Sequence, residues 1–144
     1  MDYSPTVVGT STDSIVFSYV DGLNPQNLNF SVQGDAQTPA FLTISEAPTF
    51  DFGIFALGSS TDATFTITNT GQTTATTMAN NPINAPFGYK GTFYPGSGGT
   101  CSSQLNSLES CIIIVEFSPV GTPASYSELL RCLLYTSPSP RDRG

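Results

Sequence analysis

PTFDFGIFALGSSTDATFTITNTG, residues 48–71, is the stretch whose reading decides the fold of this chain. Apolar and polar residues alternate in two short runs. Phe50 and Phe52 share one face of the first, and Ala63, Phe65 and Ile67 share one face of the second. A period of two marks a strand with one buried face. The spacing therefore predicts two short strands, each closed by glycine or asparagine. Asn69-Thr70-Gly71 is expected to stop the second with a tight reversal that uses glycine's access to positive φ. Strands of this kind belong to small antiparallel sandwiches and point to a structural module rather than an enzyme.

The flanking sequence continues the pattern. Upstream, Ser14–Tyr19 and Leu28–Val32 alternate as strands around a turn at Asp21-Gly22-Leu23-Asn24-Pro25, and Gln37–Ala40 is a linker. Phe41-Leu42-Thr43-Ile44 opens the next element. Downstream, Thr73–Met78 is expected as a strand, because threonine suits a solvated pleated face. Residues 80–99 are rich in proline and glycine and read as loop. Cys111–Phe117 is the most apolar strand, with positions 111, 113, 115 and 117 facing the core. No segment has sustained helical periodicity, so the chain is expected to be essentially all-β.

Residues 132–142, Cys-Leu-Leu-Tyr-Thr-Ser-Pro-Ser-Pro-Arg-Asp, match one reading frame of a transposase-type sequencing adapter. On that reading residues 131–144 are a non-native, disordered tail, and the natural protein continues past Leu130. The tail holds Arg131, Arg141 and Arg143 and one acid, Asp142. Without it a single cation, Lys90, faces ten acids, a formal charge of −9 where the whole chain has −7. So acidic a chain repels phosphate backbones and anionic lipid, which argues against nucleic-acid or membrane-surface binding. No run approaches the length of a membrane span. Met1–Pro5 lacks the pattern of a signal peptide, which on the fragment reading places the true N-terminus upstream.

Setting Cys132 aside with the tail leaves Cys101 and Cys111. The pair reads either as a disulfide, closing a short loop and contributing about 2–3 kcal/mol, or as two reduced thiols of a cytosolic protein. A disulfide would imply an oxidising compartment. Two cysteines without any histidine leave tetrahedral zinc short of ligands, so no metal site is expected.

The two ends of the chain resemble each other. Tyr3-Ser4-Pro5 matches Phe117-Ser118-Pro119 at an offset of 114 (117 − 3), and at the same offset Ser11 meets Ser125 and Ile15-Val16 meets Leu129-Leu130. A repeat of this period suits tandem sandwich domains. Residues 1–38 then read as the closing strands of a preceding repeat, and residues 39–130 as one repeat truncated in its last strand. The N-terminal hairpin either docks where such closing strands belong or projects as a ribbon. The linker from Gly34 to Ala40 spans at most about 20 Å, and a lone ribbon is only marginally stable.

In order along the chain, Phe50–Gly53, Leu57-Gly58-Ser59, Phe65–Gly71, Tyr94-Pro95-Gly96 with Gly98–Cys101, and Cys111–Pro119 resemble the bacterial repeats called choice-of-anchor D domains. These are immunoglobulin-like modules related to hydin-type domains, and the resemblance covers nearly all of residues 1–130. It implies an immunoglobulin-like antiparallel β-sandwich within a secreted or cell-surface protein of many repeats. It also implies a disulfide between Cys101 and Cys111, no catalytic residues and no cofactor.

Three functions follow for weighing. An enzyme is disfavoured: without histidine there is no Ser-His-Asp or Cys-His arrangement. Gly96-Ser97-Gly98-Gly99 is no phosphate loop, and the acids are scattered singly. A glycan- or protein-binding module would use Phe87, Tyr89, Phe93 and Tyr94 as an aromatic platform, unless these rings plug one end of the sandwich. Asp13, Asp21 and Asp35 lack the spacing of a calcium loop. A non-catalytic spacer or interaction repeat, whose partners are neighbouring repeats and a surface glycan or protein, needs only what the sequence supplies. A cytoplasmic or ciliary-type scaffold is the alternative.

Overall fold

Thr61–Asn69 alternates between exposed and buried positions along its whole length, as a half-buried strand should, and it organises the larger part of the protein. In the computed structural model, which describes residues 4–80, 82–130 and 132–133, the chain divides into two compact units, Met1–Thr38 and Pro39–Gly144. The described residues contain antiparallel strands, one 3-10 turn at Lys90–Thr92 and no α-helix. Tyr3 and tail residues 131 and 134–144 lie outside the described residues.

The first unit is a hairpin of β1 (Gly9–Val20) and β2 (Pro25–Ala36), paired from Gly9–Ala36 to Val20–Pro25. Its turn is held by Asp21, whose Oδ1 accepts from the backbone N–H of Asn24 (2.7 Å) and Leu23 (2.9 Å). The other carboxylate oxygen accepts from the Gln26 side chain at 3.0 Å. The backbone bonds to Asn24 and Leu23, with help from Gln26, hold the Asp21 carboxyl below its ordinary value. Asp13 and Asp35 are engaged locally, with Ser14 N–H at 2.7 Å and the Thr10 hydroxyl at 2.5 Å respectively. Because residues opposite one another share a face, the register sorts the hairpin into two unlike sides. One carries Ile15, Phe17, Tyr19, Leu28, Phe30 and Val32, and the other mostly Ser, Thr, Asn and Gln.

The second unit is built on a four-stranded antiparallel sheet. Its strands are β3 (Leu42–Ile44), β4 (Thr61–Asn69), β6 (Phe87–Tyr89) and β7 (Ser110–Phe117), in the order β3-β4-β7-β6. Ala63, Phe65 and Ile67 of β4 lie opposite Val115, Ile113 and Cys111 of β7, so six buried side chains form one apolar face. Tyr89 extends that face opposite Val115, and Ile44 extends it opposite Ile67. Burying a side chain of this size contributes about 1.5–3 kcal/mol, and here the pleat delivers it in register from two strands at once. Beyond β6, residues 95–101 continue along β7: Ile114 N–H donates to the Pro95 carbonyl (2.8 Å) and Thr100 N–H to the Ile112 carbonyl (2.9 Å).

A thinner layer covers the apolar face. Ala75 and Leu105 exchange both backbone hydrogen bonds, at 2.9 and 3.0 Å, and with Met78 and Cys101 they join the same buried cluster. β5 (Ala79–Asn80) pairs with β8 (Cys132–Leu133). The result is an all-β, sandwich-like fold, as the sequence predicts.

Three local expectations need correction. Residues 48–53 form no ladder, because the Asp51 carboxylate captures Gly53 N–H at 2.8 Å and turns the chain locally. Thr73–Met78 is no continuous strand: the Thr73 carbonyl is taken by the Asn69 side chain and Thr77 sits at φ 53°, leaving one bridge at Ala75. Gly71 is required for space and not for positive φ. A Cβ there would run into the Pro39 carbonyl oxygen and lie 2.7 Å from Ala40 Cα and 2.8 Å from Phe41 N. Gly71→Ala is therefore expected to cost about 1–3 kcal/mol, the usual penalty of overpacking, measured as a lower urea midpoint. An unchanged midpoint would mean that the 39–41 backbone yields without cost.

Candidate functional site

Of the residues singled out in the sequence, the cysteines are brought together. Cys101 and Cys111 are both buried and are joined as a disulfide, with a Cα–Cα distance of 4.8 Å. Cys111 faces the core from β7, while Cys101 follows the glycine-rich turn, so the bond fastens that turn to the sheet.

The four aromatic residues are not brought together as a platform. Phe87 and Tyr89 are two apart on β6 and so face the same way, into the core, where Phe87 stacks on Phe117 at 4.9 Å. Tyr89 is 8% exposed and meets Tyr94 edge to face at 5.4 Å. Phe93 alone stands in solvent, 77% exposed. One open ring is not a stacking surface, and the other three are part of the packing.

A different set of rings converges. Phe52 lies 5.5 Å from Phe117 and 5.8 Å from Phe87, Phe50 lies 5.2 Å from Phe65, and Phe50 and Phe52 meet edge to face at 5.1 Å. Phe55 approaches Phe117 at 6.3 Å, and Tyr126 approaches it at 6.2 Å. The separations fall in the range in which aromatic pairs attract. These rings floor a groove of about 990 Å³ between the 45–57 segment and the 123–130 segment. The Tyr126 hydroxyl is within hydrogen-bonding distance of the carbonyls of Thr122 (3.1 Å) and Val120 (3.3 Å), which fixes the second wall. Phe50, Phe55, Leu57 and Leu129 leave apolar surface exposed along it.

Among the described residues the groove lining includes the acids Glu46, Asp51 and Glu128 and no basic residue. Asp51 is committed to Gly53, and Glu128 faces the Asn84 amide at 3.4 Å. Among the described residues no group of three or more His, Cys, Asp or Glu is placed to hold a metal ion. The chain's one lysine, Lys90, pairs with Asp62 at 2.6 Å on the exposed side of the sheet, and that bond raises its pKa. The arrangement offers apolar area and edge-on rings, which suits taking up side chains of another segment.

No family model, curated protein or solved structure matches this chain. Among the described residues, no helix is long and apolar enough to cross a membrane.

The sequence marks Asn69 only as a turn residue, yet its side chain meets five backbone groups of the second unit. It is 0% exposed. Its Oδ1 accepts from the N–H groups of Gly71 (3.1 Å) and Phe41 (3.2 Å). Its Nδ2 faces the carbonyls of Thr73 (2.9 Å), Leu105 (3.1 Å) and Asn106 (3.2 Å). The sequence signal that points to it is the end of β4: by alternation position 69 belongs on the buried face, and a buried amide must find partners.

Proposed function

We propose that this chain is a non-catalytic, immunoglobulin-like building block of a longer extracellular or cell-surface protein, serving as a spacer and interaction module between like repeats. The observation that carries the reading is the buried Cys101–Cys111 disulfide tying a loop to β7, one of the two central strands of an all-β unit. A structural disulfide of this kind persists in oxidising compartments and is rare in the cytosol. The acidic, lysine-poor exterior and the resemblance to choice-of-anchor D repeats support the same reading. The cytoplasmic or ciliary-type scaffold is disfavoured by the disulfide, and the packing of Phe87, Tyr89 and Tyr94 against other rings, with Phe93 alone well exposed, argues against an aromatic platform for a glycan.

Two measurements test the proposal. After native purification with free thiols blocked, the peptides holding Cys101 and Cys111 should take up alkylating agent only after reduction. Sequencing of the flanking source DNA should reveal further copies of the repeat. Alkylation of both cysteines without reductant, or flanking DNA that encodes no related domain, would overturn it.

A further inference from the structure

We propose that the second unit is a load-bearing module, whose sheet resists a pull along the chain by loading its strand ladders lengthwise. This role deepens the spacer reading and rests on it, since a spacer between neighbours transmits any tension on the protein. A sheet can meet such a pull in two ways. If the chain enters and leaves at the same end, the strands peel apart one hydrogen bond at a time. If it enters and leaves at opposite ends, the bonds of a ladder are strained together and must fail together.

The register decides between them. Leu42 pairs with Asn69 and Ile44 with Ile67, so β3 starts at the Asn69 end of β4 and runs toward Thr61. Ser110 pairs with Thr68 and Phe117 with Thr61, so β7 runs the same way and leaves at the Thr61 end. β4 lies between the two in the sheet. Tension arriving through residues 37–40 therefore draws β3 past β4 in one direction. Tension from beyond Pro119 draws β7 past β4 in the other, and both ladders are loaded in shear.

The ladders are unequal, and the shorter is reinforced. β4 shares eight residue pairs with β7 and three with β3. Before β3, Phe41 N–H donates to Asn69 Oδ1 (3.2 Å), and the Phe41 carbonyl accepts from Thr70 N–H (2.8 Å) and its hydroxyl (3.1 Å). After β3, Ser45 N–H donates to the Thr66 carbonyl (2.9 Å), and Ser45 Oγ accepts from Thr66 N–H (3.0 Å). Gly71 lets Pro39 and Ala40 lie against the end of β4. Residues 39–41 are thus gripped where the pull arrives. The exit is fastened too: Ser118 N–H donates to the Pro86 carbonyl and Gly58 N–H to the Pro119 carbonyl, both at 2.8 Å.

Single-molecule pulling on the full oxidised chain, through azide-bearing residues at two exposed positions, tests the load path. Anchors at positions 37 and 120 reproduce the pull along the chain, whereas anchors at 37 and 72 both lie past the Asn69 end of β4 and peel β3 away. Forced unfolding reports the unfolding barrier, so at one loading rate the first geometry should need more than about twice the force of the second. Asn69→Ala should lower the force between 37 and 120. Met78→Ala, which empties a buried site outside the ladders, should leave that force near native while lowering the urea midpoint. If Asn69→Ala fails to fold, Ser45→Ala, which removes one reinforcing bond, gives the same comparison. The bond withholds the ten steps from Cys101 to Cys111, so Cys101→Ala/Cys111→Ala should release about 30 Å more chain at rupture. Failure here leaves the alkylation and flanking-DNA tests of the spacer role untouched. Equal forces in the two geometries, equal loss of force in the two variants, or a released length indifferent to the disulfide would each overturn the proposal.

Discussion

Asn69→Ala is expected to lower the unfolding free energy by about 3–5 kcal/mol, at the upper end of what single substitutions do. The side chain serves two N–H donors and three carbonyl acceptors from three separate segments, 39–41, 71–73 and 105–106. Truncation strands these groups in a site with no solvent exposure, and each stranded group costs about 1–3 kcal/mol before the backbone relaxes. Two amide protons divide among three carbonyls, with Thr73 the nearest, so the losses will not add in full. The orientation of the amide is dictated, since the reverse would set Oδ1 against three carbonyls. Asn69→Asp should be worse than alanine at neutral pH, because a carboxylate there faces carbonyl oxygens in a buried site. Burial and those oxygens raise the pKa of the introduced group above its unfolded value, so the folded state binds the extra proton. Part of the loss is then recovered as the pH falls and grows as the pH rises through that range. Urea titration at several pH values checks both variants. A loss below about 1 kcal/mol for Asn69→Ala would mean that water or a backbone shift replaces the amide.

The difference between what was legible and what was not follows from how far each signal reaches. The period of two in Ala63, Phe65 and Ile67 and in Cys111, Ile113, Val115 and Phe117 is a local property, and it identified both central strands and their buried face. The hairpin turn at Asp21 was equally local, an aspartate bonding its own backbone two and three residues on. Asn69 depends on carbonyls at 105 and 106, some 36 residues away, and no local pattern announces them. Gly71 looked like a turn glycine because its neighbours are turn residues, whereas its requirement comes from the 39–41 backbone crossing above it. The aromatic residues show the reverse failure. Phe87 and Tyr89 sit in a proline-rich stretch that reads as loop, which hides their strand alternation, and the rings that do converge come from five separate parts of the chain.

Loss of the Cys101–Cys111 bond is the second change expected to have a large effect. A crosslink separating residues by ten positions removes about 2–3 kcal/mol of loop entropy from the unfolded chain. For a unit of this size that corresponds to a melting temperature roughly 10–20 °C lower in the Cys101→Ser/Cys111→Ser variant. The native state adds a second effect that pure loop entropy ignores. Residues 95–101 supply the hydrogen-bond partners of β7 beyond β6, and the bond holds that segment against Ile112 and Ile114. Without it two hydroxyls enter a buried apolar cluster, and the edge of β7 is released to solvent. Cys101→Ala/Cys111→Ala separates the contributions, since it removes the crosslink while leaving the site apolar. The alanine pair should lose the entropic part alone and the serine pair should lose more. Because both sulfurs are buried, reductant should act on the folded protein only as fast as the 95–101 segment opens. Amide exchange at Ile114, whose N–H donates to Pro95, reports that same opening. If the bond is the clasp for this edge, reduction and exchange share one rate in the native protein, and exchange at Ile114 accelerates once the bond is broken. Rapid reduction with exchange at Ile114 unchanged would show that the hydrogen bonds alone hold the edge and that the disulfide acts only on the unfolded chain.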